Sequence, residues 1–109
     1  MKTSYALGAT LALLLCSPGV FAAGEEKAAP PAVAGICFGC HGGNGISMSG
    51  VWPNLAGQKE PYLIKQLKDF RSGTRKDPMM EPLTKHLTDE QITELARYFS
   101  SQAVNGGLK

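Results

Sequence analysis

Three residues that can carry chemistry stand together in the stretch CFGCH, where Cys37, Cys40 and His41 follow the spacing C-x-x-C-H. Residues three and four positions apart lie on one face of a helix, so both thiols and the imidazole can address one bound group. This spacing is the attachment signal of c-type haem. We therefore predict one haem c, held by thioethers at Cys37 and Cys40, with His41 as an iron ligand. Phe38 and Gly39 project elsewhere, and the pattern leaves them free.

Two other functions of a C-x-x-C pair fit the sequence less well. A zinc site needs a fourth ligand and usually a second well-spaced pair, whereas His86 is the only further histidine in the chain. A thioredoxin-like dithiol is expected within a βαβ unit, and no strand pattern precedes Cys37. Of these interpretations, only haem attachment gives a role to Cys37, Cys40 and His41 together.

The N-terminus resembles a secretory signal that is removed on export. Ala6–Leu15 is an apolar segment too short to cross a bilayer, and small residues precede a cleavage site that we place after Ala22. Cys16 follows a large leucine, which argues against lipid attachment at that cysteine. We predict a signal peptide at 1–22 and a periplasmic domain at 23–109.

The composition limits the classes of partner. The 109 residues suffice for one small domain, and after loss of Lys2 the chain has 10 Lys and Arg against 9 Asp and Glu. A balance so close to neutral argues against nucleic acid as a partner.

A domain of this length has a thin core, and a covalent haem would supply an apolar body on which short helices can pack.

Apolar periodicity predicts an all-α fold. The segments 32–40, 61–72 and 82–86 read as helices or helical turns, and a last helix runs from a cap at Thr88 to about 105. Gln91, three residues after Thr88, completes the pattern of a capping box. We expect the last helix to cross the first, and we find no useful β-alternation.

The second axial position of the iron has several candidates. Met79 and Met80 lie on a proline-flanked loop, 39 residues after His41 in the case of Met80, which is long enough to reach the far face of a haem. A thioether favours ferrous iron. We favour Met80. Met79, Met48, His86 and an open site remain alternatives.

Pro53 follows His41 by twelve residues. Metal-bound histidine normally donates its other ring N–H to a fixed acceptor, and the carbonyl of Pro53 is a candidate for that acceptor. Trp52, the only tryptophan, is expected to contribute apolar area to the core.

These segments, in their order, give the chain a family resemblance. CFGCHGGNG, VWPNLAGQ, YLIKQLKDFRSGTR, MMEPL and LTDEQITELARYFSSQ resemble a bacterial class I c-type cytochrome, and in particular one half of the diheme periplasmic cytochromes. The resemblance implies a small fold of about four helices around a covalent haem, with His41 and Met80 as axial ligands and Pro53 as the partner of His41. It also implies one-electron transfer. With a single CxxCH, any second haem must lie on another chain.

We therefore expect a periplasmic single-haem electron carrier and not an enzyme. Its partners are redox proteins, it meets a membrane only through a respiratory complex, and we expect a monomer. Two alternatives remain. One is an electron-relay subunit of a larger oxidoreductase, and the other is a gas-binding or peroxidatic haem protein, which would need an open distal site.

Overall fold

The structure is a computed structural model that describes residues 27–104 and four isolated earlier positions, 4, 8, 17 and 19. Apart from those four positions, the predicted signal peptide at 1–22 lies outside the described residues. A 3₁₀ turn at Ala32–Ala34 leads into four α-helices: α1 (Gly35–His41), α2 (Glu60–Ser72), α3 (Met80–Thr84) and α4 (Asp89–Ser100). Residues 27–104 contain no strand, and the prediction of an all-α fold is confirmed. No helix in the described part of the chain has the length and apolarity to span a membrane.

Helix α4 forms the centre of the core. Its apolar side, Ile92, Leu95, Ala96 and Phe99, is at most 3% exposed. Burial of one such large side chain contributes about 1.5–3 kcal/mol. At its start the Thr88 hydroxyl accepts a hydrogen bond from the N–H of Gln91, whose side chain accepts from the N–H of Thr88. The predicted capping box is confirmed.

Helix α1 packs on α4 through an aromatic cluster. The Phe38 ring lies 6.0 Å from that of Tyr98 and 6.4 Å from that of Phe99, measured between centroids. Such tilted and edge-on pairs are favourable beyond their buried area. Phe38 projects away from the cavity, as the motif spacing predicts, and its side chain joins the first helix to the last.

Helix α2 is held to the start of α4 by Arg71. Its guanidinium donates to the carbonyl oxygen of Leu87 at 2.8 Å and to the carboxylate of Asp89 at 2.6 Å. Lys68 adds a longer contact of 3.3 Å to the same carboxylate. These donors, Arg71 first, lower the pKa of Asp89. Arg71 therefore positions one helix against another.

Helices α3 and α4 have other bounds than predicted. Helix α3 begins at Met80, two residues before the expected start, because the Asp77 carboxylate accepts hydrogen bonds from the N–H groups of Met79 and Met80. Helix α4 ends at Ser100, five residues before the expected end. Gln102 turns back there, and its buried side-chain amide donates to the carbonyl of Tyr98 at 2.9 Å.

The loop after α1 needs glycine for contacts with protein backbone. Gly45 has φ +77°, and a Cβ there would lie 2.7 Å from the amide nitrogen of Ala56. The carbonyl of Gly45 accepts hydrogen bonds from Leu55 and Ala56, and the Tyr98 hydroxyl donates to the carbonyl of Gly43. This loop therefore docks the segment that carries Pro53 against α4.

Candidate functional site

The helices surround a cavity of about 410 Å³ to which α1, α2, α3, α4 and the loop before α2 all contribute. Most side chains that line it are apolar or aromatic, among them Leu67, Phe70, Leu95 and Phe99. A cavity of this kind accepts a large flat apolar group and keeps water from its faces.

One wall of the cavity carries the three residues of the CxxCH motif. Cys37, Cys40 and His41 all lie on α1 and all line the cavity. The two cysteines are not joined to each other, so both thiols are available to a ligand. Burial raises the pKa of the Cys37 thiol to about 11, so this thiol is protonated at neutral pH.

His41 is 7% exposed and is held by a backbone carbonyl. Its Nδ1 lies 2.8 Å from the carbonyl oxygen of Pro53. A carbonyl oxygen can only accept, so Nδ1 carries the proton and donates. In the neutral ring Nε2 then keeps its lone pair, which is the form that binds a metal ion.

The structure separates the candidates for the second ligand. Met79 and Met80 both line the cavity, whereas Met48 and His86 do not. Met48 is fully exposed and His86 is exposed after the end of α3. Between the two remaining methionines, Met79 is 49% exposed and Met80 is half-buried. The protein therefore brings two thioethers to the cavity that contains His41.

Two charged side chains lie at the cavity, Arg75 and Asp77, and within residues 27–104 Arg75 is the only lysine or arginine that lines it. The guanidinium of Arg75 lies 4.5 Å from the centroid of the Phe70 ring and donates to the side-chain oxygen of Gln66 at 2.6 Å. Stacking on an aromatic ring and a hydrogen bond restrict where this charge can go. No local pattern in the sequence indicates this role of Arg75, because its neighbours Phe70 and Gln66 lie on α2. Trp52 also lines the cavity and is half-buried.

Comparison with known proteins assigns the domain. The Cytochrome c family profile matches residues 27–103. The chain belongs to the cytochrome c family. The chain is 40% identical over 87 residues to cytochrome c-554(548) of Halomonas halodenitrificans, covering 77% of this chain and 98% of that protein. A cytochrome c domain carries electrons on a covalently attached haem c, and the predicted family and cofactor are confirmed.

Longer cytochromes match over part of their length. Cytochrome c4 of Thiocapsa roseopersicina is 38% identical over 84 residues, which are 77% of this chain and 43% of that protein. The solved cytochrome c4 of Acidithiobacillus ferrooxidans is 42% identical, with a TM-score of 0.57 over 60% of this chain and 37% of that chain. The chain thus spans about half the length of the cytochrome c4 relatives that it matches.

The residues around the cavity fit a haem. The apolar lining suits the macrocycle, the thiols of α1 have the attachment spacing, and the Pro53 carbonyl holds Nδ1 of His41, which leaves Nε2 for iron. The soft thioethers of Met79 and Met80 suit iron on the other axial side. The donor set therefore agrees with the cofactor that the family implies.

Pro53 offers a test of how His41 is held. Replacement by alanine keeps the carbonyl but frees the backbone, so we expect Pro53→Ala to lower the reduction potential and to cost about 0.4–1 kcal/mol of stability while haem attachment persists. Voltammetry and thermal unfolding of the haem-loaded protein measure both. Pro61→Ala, at the start of α2 and away from the cavity, is the matched control. Equal reduction potentials in the native protein and in Pro53→Ala would show that the carbonyl orients His41 without the rigid backbone of proline.

Proposed function

We propose that this protein is a periplasmic single-haem electron carrier in which His41 and Met80 are the axial ligands. One observation carries the proposal: a single apolar cavity brings together both thiols, the buried imidazole and the Met80 thioether. When bound, haem c supplies one-electron exchange between ferric and ferrous iron. Donor and acceptor are redox proteins, as membership of the cytochrome c family implies.

Different residues of the chain would attach the haem, orient its iron ligand and complete its coordination. Cys37 and Cys40 fix it covalently to α1, and the Pro53 carbonyl fixes the orientation of the His41 ring. Met80 would hold the distal side, so that neither oxidation state would need a new ligand. Arg75, the only lysine or arginine among residues 27–104 that lines the cavity, would supply positive charge near the carboxylates of a bound haem.

A closed distal site separates a carrier from a gas-binding haem protein. We expect reversible one-electron oxidation and reduction of the haem-loaded protein, with a far-red sulfur-to-iron absorption band in the oxidised form. We also expect the reduced protein to resist CO at neutral pH. Potentiometric titration followed by absorption, and rapid mixing with CO, test this. Fast CO binding by the native protein would favour the gas-binding alternative.

Export is the second part of the proposal. The apolar segment and small residues of the N-terminus support removal of residues 1–22 and a periplasmic domain from Ala23. N-terminal sequencing of protein purified from periplasm should begin at Ala23, within two residues. Recovery of an intact Met1, or of a lipid on Cys16, would contradict this part and leave the electron-carrier proposal intact.

A further inference from the structure

Met80 is the first residue of α3, a helix too short to be stable without contacts to the rest of the protein. Helix α3 has five residues, and helices of this length have too few internal hydrogen bonds to be stable alone. The first turn of any helix also leaves backbone N–H groups without partners in the helix. The place of Met80 in the cavity therefore depends on groups outside α3.

Asp77 supplies the missing partners at the start of the helix. One oxygen of its carboxylate accepts hydrogen bonds from the N–H groups of Met79 and Met80, each at 2.8 Å. In return the Glu81 carboxylate accepts from the N–H of Asp77 at 2.9 Å. The carboxylates of Asp77 and Glu81 thus accept backbone hydrogen bonds on both sides of Met80.

Thr84 bonds to the backbone carbonyl of Met80. Its hydroxyl, on a residue 2% exposed, donates to the carbonyl oxygen of Met80 at 2.9 Å. Asp77 and Thr84 both line the cavity. The backbone of Met80 is therefore bonded at its N–H and at its C=O by side chains that border the haem site.

The charge of Asp77 agrees with this arrangement. The N–H of Met80 first and that of Met79 second lower the pKa of the Asp77 carboxyl, with a smaller contribution from Arg75.

We propose that Asp77 is the positioning residue for the distal ligand, and that its hydrogen bond to the N–H of Met80 sets how often the sulfur leaves the iron. The inference rests on the proposed function, in which Met80 is that ligand. A residue that only stabilised the fold would affect unfolding without affecting access to the iron.

The experiment compares four variants of the haem-loaded protein, of which Met80→Ala removes the distal ligand itself. Asp77→Ala removes the acceptor, and Asp77→Asn keeps an acceptor oxygen without the charge. Thr88→Ala removes the cap of α4, a residue outside the cavity. Imidazole is the probe, because it binds ferric iron only when the distal ligand has left. Its affinity is measured by absorption titration beside the far-red band, with thermal unfolding as the record of stability.

We expect Asp77→Ala to bind imidazole about fivefold more tightly than the native protein. This factor corresponds to the free energy that a helix typically loses with its N-terminal cap. Asparagine caps helices as well as aspartate does, so Asp77→Asn should stay near the native affinity. Thr88→Ala should lose similar stability with no change in imidazole affinity.

The outcomes separate the inference from the function on which it rests. If native protein shows no far-red band and Met80→Ala leaves imidazole affinity unchanged, Met80 is not the ligand and the proposed function fails. If the native band is present and Asp77→Ala matches Thr88→Ala in imidazole affinity, the function survives and the role of Asp77 is overturned. If Asp77→Asn behaves like Asp77→Ala, charge acts instead of the hydrogen bond, which also overturns it.

Discussion

Without covalently attached haem, the chain should be largely unfolded at room temperature. The cavity measures about 410 Å³. Without haem its apolar lining faces water and loses about 25 cal/mol for each Å² of apolar surface that haem would bury. The whole stability of a small domain is about 5–15 kcal/mol. The helices around the cavity, the longest of 13 residues, cannot offset this loss by themselves.

Two preparations of the same chain test this expectation. Protein exported in cells with a working haem-maturation system should keep the mass of one haem after denaturation and show a sharp thermal transition. Residues 23–109 made in the cytosol without that system should show little helical circular dichroism. A haem-free chain with native helicity and a cooperative transition would show that the cofactor does not drive folding.

The order of attachment and folding follows from the environment of Cys37. Thiolate is the reactive form of cysteine, and burial raises the pKa of this thiol to about 11 in the folded chain. Burial thus lowers the thiolate fraction of Cys37 in the folded chain, whereas the same thiol in an unfolded chain is exposed to water and reacts more readily. We therefore expect attachment to precede closure of the helices, in line with a fold that depends on the cofactor.

Sequence reasoning predicted those parts of the structure that local patterns determine. The capping box of Thr88 and Gln91 and the apolar side of α4 depend on residues three and four positions apart, and both are found. The five-residue spacing of CxxCH likewise fixes α1 and the cofactor class. In each case the interacting residues are neighbours on one helix.

Parts that depend on distant or non-periodic contacts were not predicted. Arg71 bonds to the carbonyl of Leu87, 16 residues later, and nothing in its own helix indicates that partner. Phe38 was assigned no role because its contacts, Tyr98 and Phe99, lie at the far end of the chain. The start of α3 at Met80 depends on a side chain, Asp77, that lies outside the apolar pattern.

Loss of the distal sulfur should have the largest effect on function, and the two methionines should differ. Met80→Ala should abolish the far-red band, lower the reduction potential and open ferrous haem to CO, because a thioether stabilises ferrous over ferric iron. Adjacent residues point in different directions, and Met79, which precedes α3, is the more exposed of the two. Met79→Ala should therefore leave the band, the potential and CO resistance unchanged.

The size of the CO effect follows from how often the native site is open. If sulfur leaves the iron about 1% of the time, its removal raises the apparent affinity for CO about 100-fold. Met48→Ala is a further control, since Met48 is exposed and lies outside the cavity. Alanine favours helix, so Met80→Ala should keep α3 and its cap at Asp77. If Met79→Ala shows the losses and Met80→Ala does not, the ligand is Met79, and a closed-site electron carrier remains while the assignment of Met80 fails.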